Sequence, residues 1–161
     1  MRRILFMILA ILGLAACSSP KVAIEEGKSD PAKPTILIAV LKGAESNSKK
    51  DLAALIRKDY GTDYNVIMRS VKKYSDVKDE KYSALVVMDY VRAWLMGNGG
   101  LKDFVRRSDN NITVYFLTSG DPDFQWKREP VRMVTAATPK ATASQTYPQL
   151  KAALDAILNP H

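Results

Sequence analysis

The chain has 161 residues, 24 lysines and arginines against 17 acids, and a formal net charge of +7. Its single cysteine, Cys17, excludes an intrachain disulfide, and its single histidine, His161, excludes histidine-based triads and ligand clusters. The basic residues fall in short runs (Lys49-Lys50, Lys72-Lys73, Arg106-Arg107, Lys127-Arg128) beside acids, without a basic-aromatic motif, so a solvated surface is expected and nucleic acid is not a partner.

Arg2 and Arg3 precede an uncharged and almost wholly apolar run, residues 4–16, that ends in Leu14-Ala15-Ala16-Cys17. A positive start, an apolar centre and small residues before a cut make an export signal. As a helix this run rises only ~20 Å, short of the ~30 Å hydrocarbon core, so a permanent span is not expected. Leu14-Ala15-Ala16-Cys17 resembles the lipobox of bacterial lipoproteins. The resemblance implies that residues 1–16 are removed, that the Cys17 thiol takes a diacylglyceryl group, and that the new amine is acylated. Two or more acyl chains hold a protein to a membrane where one does so only marginally. Ser18 and Ser19 stand where an aspartate would favour the inner membrane, which implies a periplasm-facing lipoprotein of the outer membrane in the cell envelope. The remaining basic balance draws such a protein toward anionic headgroups or acidic glycopolymers.

Residues 17–34 are rich in Ser, Pro, Lys, Glu and Gly, with Val22 and Ile24 as the sizeable apolar residues, and read as a lipid-anchored flexible tether. Such a tether reaches roughly 55 Å when extended and ~23 Å as a coil. Residues 35–161 are then one domain, long enough for a single core.

Within it, residues 35–41 form a continuous apolar run, the pattern of a strand buried on both faces. Ser48-Lys49-Lys50-Asp51 predicts a capping box with Ser48 as N-cap, followed by a helix carrying Leu52, Leu55 and Ile56 and ended by Gly61. Residues 64–71 predict a more amphipathic strand at or near an edge, and residues 84–88 another buried one. Gly99-Gly100 open a helix with Leu101, Phe104 and Val105, residues 111–117 form a further buried strand, and residues 131–136 a short last one. Residues 148–158 close the chain as a helix with Leu150, Ala153, Leu154, Ile157 and Leu158 inward. Strands alternating with helices predict an α/β fold, a mainly parallel, doubly wound sheet with helices on both faces. About a dozen residues separate the last two strands, near the minimum for a parallel crossover. Either residues 121–126 make one helical turn there, or the last strand runs antiparallel.

Over roughly residues 35–159 this pattern resembles the flavodoxin-like family. The resemblance implies about five strands in the order 2-1-3-4-5, with the fourth crossover helix short or absent, and a ligand edge where three loops meet. The first loop, Gly43-Ala44-Glu45-Ser46-Asn47-Ser48, is similar to the family's phosphate cradle Ser/Thr-x-Thr-Gly-x-Thr. Asn47 and Ser48 fit the end of that pattern, whereas Ala44 and Glu45 replace hydroxyls and Ser46 the glycine. Glu45 repels a phosphate, an effect that Lys42, Lys49 and Lys50 can offset; the same residues also read as a plain helix cap with surface lysines. In the second loop, Asp89-Tyr90-Val91-Arg92-Ala93-Trp94, the resemblance implies Tyr90 and Trp94 as rings for stacking on a flavin or another planar ligand, and Asn98 and Gly99 lie in the turn that follows. The third loop, Phe116-Leu117-Thr118-Ser119-Gly120-Asp121, resembles Phe-Gly-x-Gly-Asp and implies ring contact through Ser119, Gly120 and Asp121, with Phe124 or Trp126 as a second wall.

Thr135-Ala136-Ala137-Thr138 is similar to a segment that carries flavin through a threonine ester, but Arg132 and Ala136 stand where that pattern has an acid and a glycine. Neither a Gly-x-Ser-x-Gly elbow nor a Walker-type lysine loop occurs. Two expectations remain. One is a lipid-anchored binding module without catalysis of its own and with an envelope protein as partner; the other is an FMN-binding electron carrier of the envelope.

Overall fold

A computed structural model describes residues 29–91, 99–119, 131–136 and 142–160. The apolar run becomes β1 (Thr35–Leu41), whose residues after Thr35 are all buried. Parallel neighbours β2 (Asn65–Val71) and β3 (Ala84–Val91) flank it, and β4 (Thr113–Ser119) and β5 (Arg132–Ala136) continue the sheet. The order is β2-β1-β3-β4-β5, the flavodoxin-like arrangement. All pairings are parallel, so β5 does not turn back on β4.

Among the described residues three helices cover this sheet: α1 (Asn47–Tyr60), α2 (Gly99–Arg107) and α3 (Ala143–Leu158). From β1 the chain steps one way to β2, and from β3 the other way to β4; right-handed crossovers therefore put α1 and α2 on opposite faces. On the α1 face, α3 docks through Tyr60, whose hydroxyl donates to Asp155 Oδ1 at 2.6 Å, and through Tyr147, which donates to Asp59 Oδ2 at 2.8 Å. The β2–β3 crossover holds only a 3-10 turn, Tyr74–Asp76, and the Tyr74 ring meets Phe104 of α2 edge-on at 5.6 Å.

Several boundaries differ from the sequence expectation, each for a local reason. The α1 helix starts at Asn47, because Lys50 N–H reaches Ser46 O at 3.3 Å and closes the first turn there. Ser46 is thus the N-cap and Ser48 lies inside the first turn, so the capping box expected of Ser48 and Asp51 is not formed. β3 and β4 run three and two residues past their apolar cores, because the pairs Asp89↔Leu117, Tyr90↔Thr118 and Val91↔Ser119 continue the ladder. The α3 helix begins before Pro148, at Ala143, where Thr142 N–H donates to Gln145 Oε1 at 3.0 Å. The tether expected through Pro34 is already fastened at Asp30, whose N–H donates to Asn65 Oδ1 at 2.8 Å. The fourth crossover, residues 120–130, lies outside the described residues.

Gly61 ends α1 with φ −66°, in right-handed rather than left-handed conformation. What demands glycine is space, since a Cβ there stands 2.4 Å from the Arg57 carbonyl oxygen. Gly61→Ala is expected to cost about 1–2 kcal/mol through forced displacement of that turn. A urea midpoint equal to or above the parent's contradicts this.

Candidate functional site

The order of strands reverses between β1 and β3, and ligands of such sheets bind at the carboxyl edge of that switch point. At this edge β1 leaves through Lys42, whose N–H donates to Val71 O at 2.8 Å, and turns at Gly43 with φ +91°, a left-handed conformation that favours glycine. Ala44 N–H closes the turn on Leu41 O at 2.8 Å. The Glu45 side chain then folds back: Oε2 accepts Gly43 N–H at 2.6 Å and Oε1 accepts the Ser70 hydroxyl at 2.6 Å. Burial acts to raise the Glu45 carboxyl, but the Ser70 and backbone hydrogen bonds and the nearby Lys49 charge outweigh it and hold it below the usual carboxylate range.

Lys49 is the largest departure from expectation. It is not a surface lysine: the residue is 1 % exposed, and its ammonium donates to Ala44 O at 2.6 Å. Burial pushes it down to about 8, against the opposing pull of Asp89 first and Glu45 second. Asp89, on β3, is also buried; its Oδ1 accepts Tyr90 N–H at 2.7 Å, and Thr118 of β4 donates to its carbonyl at 3.1 Å. Four elements thus converge: the β1 loop, the first turn of α1, Ser70 of β2 and Asp89 of β3.

The described candidates lie at the same carboxyl edge of the sheet. Ser46, Asn47 and Ser48 share the start of α1, with Ser46 Oγ 3.0 Å from Ser48 Oγ. Tyr90 is the exposed large apolar side chain among the described residues, at 38 %. Ser119 ends β4, paired with Val91, and Gly99 starts α2 with open space where a Cβ would be. Cys17, Trp94, Asn98, Gly120 and Asp121 lie outside the described residues, as do Phe124, Trp126, Ala137 and Thr138.

Sequence reasoning missed Ser70 and the inward course of Lys49. A signal for Lys49 existed: it shares the helical spacing of Leu52, Ala53, Ile56 and Tyr60, the other buried residues of α1. Ser70 carried none, because only the parallel register brings β2 beside the β1 loop.

At the amino edge, two clefts of about 310 and 340 Å³ flank residues 30–33. Arg57 and Tyr64 line one, and Lys81 and Tyr82 the other. Among the described residues no cluster of three or more His, Cys, Asp or Glu side chains is placed to hold a metal, and no helix is long and apolar enough to cross a membrane.

No family model matches the chain, and no curated protein does. Among solved structures it is similar to the crystal structure of the Francisella novicida lysine decarboxylase LdcF, with a TM-score of 0.48 and 11% identity over 78% of this chain. That match takes in 18% of the decarboxylase chain, so only a small part of that protein is compared.

Proposed function

We propose that the protein is a lipid-anchored component of the cell envelope, held through acylated Cys17 and facing the periplasm from the outer membrane, whose domain binds an envelope protein without catalysis of its own. The observation that supports a lost phosphate grip is the course of Glu45. A carboxylate from the chain itself already takes the Gly43 N–H and the Ser70 hydroxyl, and the Lys49 ammonium points inward to Ala44 O. An incoming phosphate dianion meets a like charge at the loop rather than free donors.

The second reading is an FMN-binding electron carrier, favoured by Tyr90, whose ring is offered to solvent at the end of β3. One measurement separates the two. Full-length protein purified in detergent is expected to be colourless and to leave the fluorescence of added FMN unchanged. A yellow protein that quenches flavin fluorescence makes electron transfer the better reading. For the anchor, Cys17→Ser is expected to abolish incorporation of radioactive palmitate and to leave an uncut precursor. A processed, unlabelled wild-type chain removes the lipoprotein reading.

A further inference from the structure

Asn65 opens β2 and is buried, yet its carboxamide serves no strand partner. Its Oδ1 accepts Asp30 N–H at 2.8 Å, and its Nδ2 donates to Asp30 O at 2.7 Å and Lys33 O at 2.9 Å. The backbone adds a further tie, Asn65 N–H to Pro34 O at 2.8 Å. The strapped segment is itself a closed turn: Lys33 N–H meets Asp30 O at 3.0 Å, and Ala32 N–H meets Asp30 Oδ1 at 2.9 Å. A buried carboxamide used to this extent on one short segment is costly to leave unmatched, so the segment has a defined seat rather than a resting place.

We infer that Asn65 straps the end of the tether to the amino edge of the sheet, so that the anchored protein turns its amino edge to the bilayer and presents the carboxyl edge, with Glu45 and Tyr90, to partners in the aqueous envelope space. This rests on the lipid anchor at Cys17. Strapping at Asp30 leaves a leash of about a dozen residues, with an extended reach of ~40 Å in place of roughly 55 Å. As a coil it spans ~20 Å. The strands of the sheet add ~23 Å between the strap and the carboxyl edge. Bringing that edge to the lipid requires inverting the domain and stretching the leash beyond its coil size. The exit point and the short leash therefore bias which edge meets lipid.

The test uses the full lipidated chain in vesicles of phosphatidylethanolamine and phosphatidylglycerol that carry a headgroup quencher. A fluorophore is placed on Lys58→Cys, in the last turn of α1 at the amino edge, or on Lys42→Cys at the carboxyl edge; both positions are exposed. The Lys58→Cys probe is expected to be quenched at least threefold more than the Lys42→Cys probe. Equal quenching, or the reverse order, overturns the orientation. Failure of the protein to float with the vesicles is a separate result, and it overturns the anchor reading together with the orientation built on it. The strap has its own readout in solution. The Asp30 and Lys33 amides should exchange at least tenfold faster in Asn65→Ala than in the parent, with the β1 amides unchanged. Unprotected Asp30 and Lys33 amides in the parent overturn the strap even if the variant fails to fold.

Discussion

Truncating Phe104 to alanine is expected to lower stability by about 4 kcal/mol, the loss of a large buried ring plus the cavity it leaves. Phe104 has no exposed surface, and its ring stands edge-on to Tyr74 at 80°, a pair that adds to simple burial. With Leu101 and Val105 it seats α2, the helix that starts at Gly99 beside the candidate site. The β2–β3 crossover has only a 3-10 turn to cover this face, so the Tyr74–Phe104 contact joins the two elements that lie there. Urea unfolding followed by circular dichroism is expected to show a lower midpoint at unchanged slope. Phe104→Leu, closer in volume, should lose under about 1.5 kcal/mol. A loss under about 1 kcal/mol in Phe104→Ala would mean that α2 is not seated by this ring.

Lys49→Met is expected to remove a contribution to stability that grows by about 2 kcal/mol between pH 8 and pH 10, read as the difference between parent and variant. Lys49 titrates near 8 in the folded chain against 10.5 for an ordinary lysine, because its ammonium is buried. Below pH 8 both folded and unfolded chains carry the charge, and the full cost of burying it is present. Between the two values Lys49 keeps more of its proton in the unfolded chain, so its contribution to stability climbs as pH rises. Among the other groups with resolved shifts, the carboxylates titrate below that window, whereas the tyrosines act at its upper end, because an unfolded tyrosine ionises near 10. Glu45, Asp76 and Asp155 are held below the usual carboxylate range. Tyr60, Tyr82 and Tyr147 are pushed above the tyrosine range, by burial first and by hydrogen bonding second, so together they lower stability by about 1 kcal/mol as pH reaches 10, in the parent and in Lys49→Met alike. Methionine keeps the stem packed but removes the proton, at the cost of the donor to Ala44 O. Relief of the buried charge opposes that cost, so the slope is diagnostic where the offset at neutral pH is not. Urea midpoints at pH 7.5, 8.5, 9.5 and 10 measure it. A parent-minus-variant difference that stays flat over this range means that Lys49 does not titrate there in the folded chain.

For the described residues of the candidate site, the sequence carried an address and little chemistry. The residues Ser46, Asn47, Ser48, Tyr90, Gly99 and Ser119 do lie at one edge of the sheet, because alternating strands and helices send the ends of all parallel strands to the same side. Whether Glu45 faces a ligand or its own loop was not legible, since the answer lies with Ser70, twenty-five residues away. Lys49 shows the same limit from the other side. Its spacing matched the buried stripe of α1, but a charged residue on a stripe reads as an exposed flank until a carbonyl is seen to accept from it and carboxylates to act on its charge.

By itself the sequence determined the kinds of element and their order along the chain. Runs such as residues 35–41 and 84–88 must be strands hidden on both faces, and the spacing of Leu52, Ile56 and Tyr60 must be a helix with one inward side, because burial imposes those periods locally. Tertiary structure alone decided the direction of β5, the extension of β3 and β4 past their apolar cores, the inward lysine and the Asn65 strap. Each of these depends on a partner distant in the chain. Pairing across strands and the satisfaction of a buried polar group become visible only when both partners are in place.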